Sequence, residues 1–332
     1  MKNNKGFTLI EMMVAVVVFA LVIPSIIMIL SSLTRGFTSY EASSQIKNLN
    51  QNNLSKIYMK LTTSKRLFQN STADNLFFSR IDTAGIPAAL AALQMPSINE
   101  DGVLNPGTTS FSPSAVGNTL FFASNDSTQV LENISDGAST HTVSIDVYRF
   151  IAYYLSTDNP KTINAKPSYR LVEFTSLKYA DYNQIMAISN ATFRQNIAAG
   201  LYNSNVRFAW APSATNPATA FSSITAAGGF TGSAGHMIQK DKCVFLTQII
   251  TGIMGVGYRY GVSPVSAGWA AAPKIVPVFA TQNGVFPGGF EVVVVGHSGG
   301  RKTLIRQVIV AEMGSNIIGD DRTILCSVRD LW

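Results

Sequence analysis

The sequence predicts an α+β protein, in which a long N-terminal α-helix, membrane-spanning in its first half, packs on a β-rich antiparallel head. Three observations support this fold class. No ionisable side chain occurs from Met12 to Thr34, an apolar run of 23 residues. Apolar residues then recur at helical spacing as far as Phe68. Beyond residue 116, segments rich in β-branched and aromatic residues alternate with turn formers, as is typical of strands.

The apolar run is long enough to cross a membrane. As a helix it spans about 35 Å, against about 30 Å for the hydrocarbon core of a bilayer. Lys2 and Lys5 precede it, so we expect the N-terminus to stay cytoplasmic and the rest of the chain to face the opposite side. Glu11 lies at the edge of the run, where a carboxylate is costly and needs a partner. A cleaved secretory signal does not explain this pattern, because the only glycine cut point, Gly6, precedes the apolar run.

The run KGFTLIE at residues 5–11, followed by an apolar helix, resembles the class III signal of type IV pilins and type II secretion pseudopilins. The resemblance implies that prepilin peptidase cuts between Gly6 and Phe7 and methylates the new amino group of Phe7. It also implies that Glu11 pairs with the terminal amine of a neighbouring subunit during assembly. A buried carboxylate and a buried ammonium each need such a partner. The alternative is an uncleaved signal anchor in which Glu11 occurs by chance.

The resemblance implies a structural function, as a subunit of a type IV pilus or a type II secretion-like pseudopilus. The subunit would be held in the inner membrane, with its head periplasmic or extracellular, before it enters the filament. Its implied partners are other pilin or pseudopilin subunits, prepilin peptidase, the inner-membrane assembly platform and membrane lipid. The large head favours a minor subunit, near the tip or in an initiation complex. The intact Glu11 argues against the pseudopilin type that lacks this acid.

Parts of the head resemble the W-type minor pilins and J-type pseudopilins. In that group a Tyr-rich strand leads to a Tyr-Arg strand, and a later strand is entered after a proline. The matching segments here are residues 150–155, 169–171, 250–260 and 287–292. The Ala/Ser/Thr/Gly-rich segment at residues 211–235 departs from the group, and its composition predicts an exposed loop.

The patterns divide the chain into five regions. They are a leader (1–6), an apolar assembly helix (7–34), its amphipathic continuation (35–70), a loop-rich connection (71–115) and a β-rich head (116–332). One face of the continuation carries Leu54, Ile57, Tyr58, Leu61 and Phe68. Within the head, the spacing of Phe193, Ile197 and Leu201 favours a helix in the region 177–201. Strands are predicted at 119–123, 143–155, 169–174, 244–250, 255–260, 275–279, 290–295, 304–311 and 324–328.

Composition suits an extracytoplasmic protein that packs against copies of itself. Of the 332 residues, 46% are apolar and only 13% are charged. The formal net charge is +6, and removal of the leader leaves 23 basic against 19 acidic residues, or +4. No dense basic run follows Lys65-Arg66, so we expect no nucleic-acid partner.

The two cysteines, Cys243 and Cys326, leave two alternatives open. An oxidising compartment would allow them to pair in a disulfide bond. Each also lies in an apolar, strand-like context, which is equally consistent with two buried free thiols. Neither lies near a second metal-binding residue at zinc-site spacing.

One motif resembles a catalytic site. The run GHSGG at residues 296–300 fits the nucleophile elbow of α/β-hydrolases, with Ser298 as nucleophile. That elbow needs a strand–turn–helix context and a later histidine, but no histidine follows His297. A glycine-rich hairpin turn explains the motif better. We therefore expect no catalytic residues, and the alternative functions are a membrane-anchored extracytoplasmic hydrolase and an adhesin.

We expect no cofactor and no metal ion, with one weak exception. The acidic pairs Glu100-Asp101 and Asp320-Asp321 could help to bind calcium, although neither has the spacing of an EF-hand. The glycines at residues 252–257 lack the order of a phosphate-binding loop. His141 and His236 are single histidines in polar context, and we expect both to be solvated loop residues.

Overall fold

The fold is given by a computed structural model. It describes residues 8–89, 93–102, 115–163, 166–232, 234–247, 250–253, 257–258, 275–276, 289–313 and 316–331. The long N-terminal helix and the β-rich head are both present, so the predicted α+β class is confirmed.

Helix α1 runs without interruption from Leu9 to Thr62, and Pro24 lies inside it. Residues 9–41 are exposed along their whole length and form what we call the exposed stretch. Residues 46–61 form the docked stretch, which packs on the head. The buried residues of the docked stretch recur every three or four positions, as one helical face requires. They are Ile46, Asn50, Asn53, Leu54, Ile57 and Leu61.

The helix ends earlier than predicted, at Thr62 instead of near residue 70. The chain turns at Thr63 and enters strand β1 (Ser64–Leu67), which pairs antiparallel with a later strand. Phe68 therefore does not lie on the helix. Its ring stacks on Phe121 at a centroid distance of 4.5 Å, so its helical spacing from Leu54 was coincidental.

Strands make up most of the head. After β1 they are β2 (Ile98–Asn99), β3 (Leu120–Ser135), β4 (Thr140–Ile163), β5 (Lys166–Ser176), β6 (Tyr179–Asp181), β7 (Phe208–Trp210), β8 (Phe221–Ile224), β9 (Phe230–Gly232), β10 (Lys240–Phe245), β11 (Ile250–Ile253), β12 (Gly257–Tyr258), β13 (Ile275–Val276), β14 (Phe290–Val295), β15 (Arg301–Met313) and β16 (Asn316–Val328). The predicted strand at 290–295 coincides with β14. The predicted strands at 255–260 and 275–279 lie largely outside the described residues.

Fourteen strands form one sheet. Its main path is β2-β14-β15-β11-β5-β4-β6-β7-β8-β9, with β3 on β4, β1 on β3, β10 on β5 and β16 on β15. Among the described pairs, β2–β14 and β6–β7 are parallel. The long pairs β3–β4, β4–β5 and β15–β16 are antiparallel, which confirms the predicted antiparallel head.

Short helices interrupt the strands. They are α2 (Thr72–Phe78), α3 (Tyr182–Met186), α4 (Ala191–Asn203) and α5 (Pro217–Ala220). The helical spacing in region 177–201 is thus confirmed, because α4 buries Ile197 and Leu201. The loop predicted for residues 211–235 is wrong in part. That segment holds α5, β8 and β9, and Phe221 and Ile224 are buried there, because small residues can pack closely where aromatic residues surround them.

The core of the head has three clusters. The first joins the docked stretch to the sheet through Leu54, Ile57 and Leu61. The second is largely aromatic and centres on Phe150, whose ring contacts those of Trp210 and Tyr179 edge to face. The third packs α3 and α4 against β3 and β4.

Candidate processing and assembly segment

The start of α1 is closed by a reciprocal hydrogen-bonded cap. The backbone N–H of Glu11 donates to Thr8 Oγ1 at 3.3 Å. In return, the backbone N–H and the hydroxyl of Thr8 donate to Glu11 Oε2 at 2.8 and 2.9 Å. This capping box satisfies backbone donors that the first helical turn leaves without partners. The resemblance assigned Glu11 to assembly only, although the Thr-x-x-Glu spacing also indicates a role as a cap.

The cap holds the Glu11 carboxylate against Thr8, the second residue after the predicted cleavage point in sequence. Gly6 and Phe7 themselves lie outside the described residues. Thr8, however, follows Phe7 directly in sequence, and both Thr8 donors contact the Glu11 carboxylate. In the single chain this carboxylate therefore has local partners. An amine from another subunit would have to compete with them, and it would bring a full positive charge that neither Thr8 donor carries.

The exposed stretch is apolar over most of its length, and none of its residues is buried against the head. Leu9, Phe19, Ile27 and Met28 expose between 60% and 80% of their surface, and their neighbours are similar. Within the described residues, α1 is the one helix long and apolar enough to cross a membrane, with a mean hydropathy of 3.0 in its most apolar window. A soluble monomer rarely leaves so large an apolar surface in water, so this stretch requires lipid or protein around it.

Two asparagines fasten the docked stretch to the head. The side-chain amide of Asn50 donates to the backbone carbonyls of Gln307 at 3.2 Å and Asp320 at 3.0 Å. The amide of Asn53 donates to the Leu246 carbonyl at 3.1 Å. Neither asparagine was predicted from the sequence to be a functional residue. They fall on the apolar face of the helix, and two polar residues on such a face were the signal that could have identified them.

Charged groups reinforce the same junction at its two ends. Lys60 Nζ lies 2.7 Å from Glu173 Oε1 near the C-terminal end of α1. The guanidinium of Arg322 donates to Gln51 Oε1 at 3.0 Å near the other end. The docked stretch is therefore held by apolar contacts along one face and by polar contacts at its margins.

The GHSGG motif lies in a tight connection between two strands. Residues 298–300 form a single 3-10 turn that joins β14 to β15, and Ser298 is exposed. The connection is strand–turn–strand, as the hairpin interpretation predicted, and no helix follows Ser298 as the elbow requires. Gly296 has a φ of +94°, a conformation that glycine adopts readily and that the turn needs.

A second serine, histidine and aspartate meet at the tip of the β3–β4 hairpin. Ser139 Oγ and Asp136 Oδ2 lie 2.9 and 2.8 Å from the same atom, His141 Nε2. A catalytic triad uses both ring nitrogens, one for the serine and one for the acid, so this geometry is that of a turn. The backbone N–H groups of Ser139 and Ala138 hold the pKa of Asp136 well below its usual value, with a further contribution from His141.

The expectation that His236 is solvated is wrong. His236 is only 7% exposed, and its ring packs against those of Phe208 and Phe221. Its Nε2 lies 3.1 Å from the hydroxyl of Tyr179. Burial, and secondarily the charge of Arg80, lower the pKa of His236 to about 4.

The two cysteines are unbridged. Cys243 lies on β10 beside the aromatic cluster, whereas Cys326 lies on β16 in the cluster under α1. Burial raises the pKa of both thiols, that of Cys326 to about 12. Of the two alternatives left open by the sequence, this arrangement corresponds to two free thiols.

The acidic residues that could help to bind calcium form contacts with basic and amide groups instead. Asp320 Oδ2 accepts from Asn50 at 3.0 Å and from Arg322 at 2.7 Å. Asp321 is ion-paired with the buried Arg306. Glu100 Oε1 lies 3.6 Å from Arg301 Nη2. These contacts leave calcium binding at either pair a prediction.

Comparison with known proteins gives one match, at the N-terminus. The family model of the prokaryotic N-terminal methylation motif matches residues 1–23, which include Gly6, Phe7 and Glu11. No curated protein and no solved structure matches the chain. The motif supports a type IV pilin-like protein, a substrate of prepilin peptidase of the type that assembles with other pilins. Together with the single N-terminal apolar helix, it fits membrane anchoring.

Proposed function

We propose that the protein is a structural subunit of a type IV pilus or a type II secretion-like pseudopilus, cleaved after Gly6 and assembled through α1. The observation that carries the proposal is the exposed stretch, a largely apolar helix outside the head with Glu11 in its first turn. Such a helix can be stored in the bilayer and then transferred to a bundle of identical or related helices. Both environments remove its apolar side chains from water.

Glu11 gives the transfer its specificity. Once the leader is removed, Phe7 carries the new terminal amine, and the two charges meet in a setting that excludes water. A pair of this kind is stable only when both partners are present. The Thr8 cap keeps the carboxylate satisfied until a neighbouring amine replaces it.

Within this class, we place the protein among the minor subunits, at the tip or in an initiation complex. The support is the size of the head, which carries a 14-stranded sheet. A bulky head is hard to accommodate at every position of a filament and easy to accommodate at one end. The segments that resemble the W-type and J-type groups favour the same assignment.

This structural function requires no catalytic residue, metal ion or cofactor. The protein resides in the inner membrane as a single-pass chain, with its N-terminus cytoplasmic and its head periplasmic or extracellular. The lysines of the leader support this orientation. The head joins the filament when the helix leaves the membrane through the assembly platform.

Mass spectrometry of the N-terminal peptide tests the proposal. The full chain is expressed with an active or an inactive prepilin peptidase, beside a control pilin. We expect a species that begins with N-methyl-Phe7 only when the peptidase is active. A Gly6→Leu variant should give no such species, because the leucine side chain obstructs cleavage. If residues 1–6 remain on the chain while the control pilin is processed, the protein is a signal-anchored protein instead.

A further inference from the structure

A cavity in the head is lined by no residue of α1. Its volume is about 250 Å³, and it forms where β1, the start of α2, β2, the segment before α5 and the two ends of the β15–β16 hairpin converge. Ser213 and Thr215 are exposed at its edge, so it opens to solvent there. The volume is enough for several water molecules or one small organic molecule.

Two arginines line this cavity, and one of them is fully engaged. Arg66 Nη1 donates to the carbonyls of Pro212 at 3.0 Å and Ala214 at 2.6 Å, and its Nη2 donates to Asp74 Oδ1 at 3.1 Å. Its guanidinium also lies over the ring of Phe68. Arg66 therefore holds the wall of the cavity in place.

The second arginine, Arg301, has an N–H group that is not used in a hydrogen bond to the described residues. Arg301 is 5% exposed, and its Nε lies 2.7 Å from Asp330 Oδ2. Its Nη2 is 3.6 Å from Glu100, which is longer than a hydrogen bond. Its Nη1 is buried and has no hydrogen-bond partner among the described residues. A buried donor without a partner is costly, and a cavity beside it allows a ligand to supply the acceptor.

The remaining polar groups also favour an acceptor. Ser71 Oγ accepts from the Asp74 backbone N–H, and Ser213 Oγ accepts from the side-chain amide of Asn183. A hydroxyl that accepts in this way can still donate its own hydrogen. The walls thus offer an arginine N–H and two hydroxyl hydrogens to whatever occupies the cavity.

We propose that this cavity binds a small carboxylate, held by Arg301 Nη1 and by the hydroxyls of Ser71 and Ser213. The charges of Arg66 and Arg301 are balanced by Asp74 and Asp330, which also line the cavity. A single added negative charge with good donors is tolerated there. A phosphate, with nearly two charges, is opposed by the two aspartates. The carboxylate comes either from a free small acid or from the acidic side chain of another subunit.

Saturation-transfer NMR on the full chain in detergent micelles tests the proposal. The probes are propionate, its neutral isostere propionamide, inorganic phosphate, and a short blocked peptide with one glutamate. We expect saturation transfer to propionate and much less to propionamide or phosphate. Transfer to propionate alone identifies a free small acid as the ligand, whereas transfer to the peptide as well admits an acidic side chain. No transfer to propionate or the peptide overturns the proposal and leaves the cavity to water.

Variants locate the signal in the cavity. Arg301→Gln should weaken propionate binding at least tenfold, because a charge-assisted bond is lost, and Ser213→Ala should weaken it about fivefold. Arg207→Gln is the matched control, since that guanidinium lies over the Tyr202 ring elsewhere in the head. Unchanged binding in a folded Arg301→Gln variant overturns the proposal. If that variant does not fold, unchanged binding in Ser213→Ala does so.

Discussion

The exposed and docked stretches of α1 belong to one continuous helix but meet opposite physical demands. In the exposed stretch, apolar residues occur on every face between Met12 and Leu33, and none is buried by the chain itself. In the docked stretch, one face is buried and the other carries polar residues such as Lys47, Asn48 and Lys56. A helix that is apolar all round needs a surrounding of lipid or other helices, whereas an amphipathic helix needs one partner surface. Their difference separates residues that act between chains from residues that stabilise the head.

The largest effect is expected from Glu11 in the exposed stretch. Glu11→Ala leaves a neighbour's terminal amine without its partner in the filament, so incorporation should fall at least tenfold. Incorporation is measured by quantifying the protein in sheared filaments from cells that express the remaining subunits. Glu41→Ala, at the other end of the exposed stretch, is the matched control and should be incorporated normally. Equal incorporation of both variants would show that Glu11 has no assembly role.

Substitutions in the docked stretch should lower the stability of the head instead of impairing assembly directly. Ile57 is fully buried, and Ile57→Ala should lower the free energy of unfolding by about 3 kcal/mol. Ile27 is 60% exposed, and Ile27→Ala should change the free energy of unfolding by less than about 0.5 kcal/mol. Urea unfolding of the full chain in detergent, followed by tryptophan fluorescence, measures both, and the signal includes the fully buried Trp210, one of three tryptophans. Similar losses in the two variants would contradict the division of the helix.

A smaller loss of unfolding free energy is expected when the hydrogen bonds of Asn50 to the head are removed. Asn50→Ala removes the donor of two backbone carbonyls and should destabilise the head by about 2 kcal/mol. Asn48→Ala makes the same chemical change at an exposed position two residues away and serves as the control. The same urea titration compares them. An Asn50→Ala variant as stable as Asn48→Ala would mean that apolar contacts alone hold the helix.

The last effect is confined to acid. His236 has a pKa near 6.5 when unfolded and about 4 when folded, so the fold keeps it neutral. Its contribution to stability is complete above about pH 6.5 and is lost as the pH falls toward 4. His236→Gln should reduce the fall in Tm between pH 7 and pH 4.5, whereas His297→Gln, at an exposed position, should not. The helical circular dichroism of the exposed stretch should persist over this range, because His236 lies in the head.

The features predicted correctly from sequence are those that neighbouring residues determine. The absence of charge from Met12 to Thr34 defines the exposed helix without reference to the rest of the fold. The four consecutive valines at residues 292–295 define most of β14, and glycine at 296 defines the turn after it. In each case the physical constraint acts over a few adjacent residues.

The errors concern features that distant residues determine. No glycine or proline marks the end of α1, and the chain leaves the helix because Ser64–Leu67 pairs with β3. His236 is buried because Tyr179, Phe208 and Phe221 come from other strands to surround it. The cavity beside Arg301 combines segments from opposite ends of the chain. Local composition carries little information about such contacts.

The amides of Asn50 and Asn53 fix more than the stability of the junction. Moving the docked stretch by one residue would rotate it by about 100° and shift it by about 1.5 Å, which would take both amides away from their carbonyl acceptors. The helix therefore has one angular setting relative to the head. Lipid or neighbouring helices that fix the rotation of the exposed stretch about its axis therefore also fix the orientation of the head. Each surface of the head then faces a direction that the N-terminal helix determines.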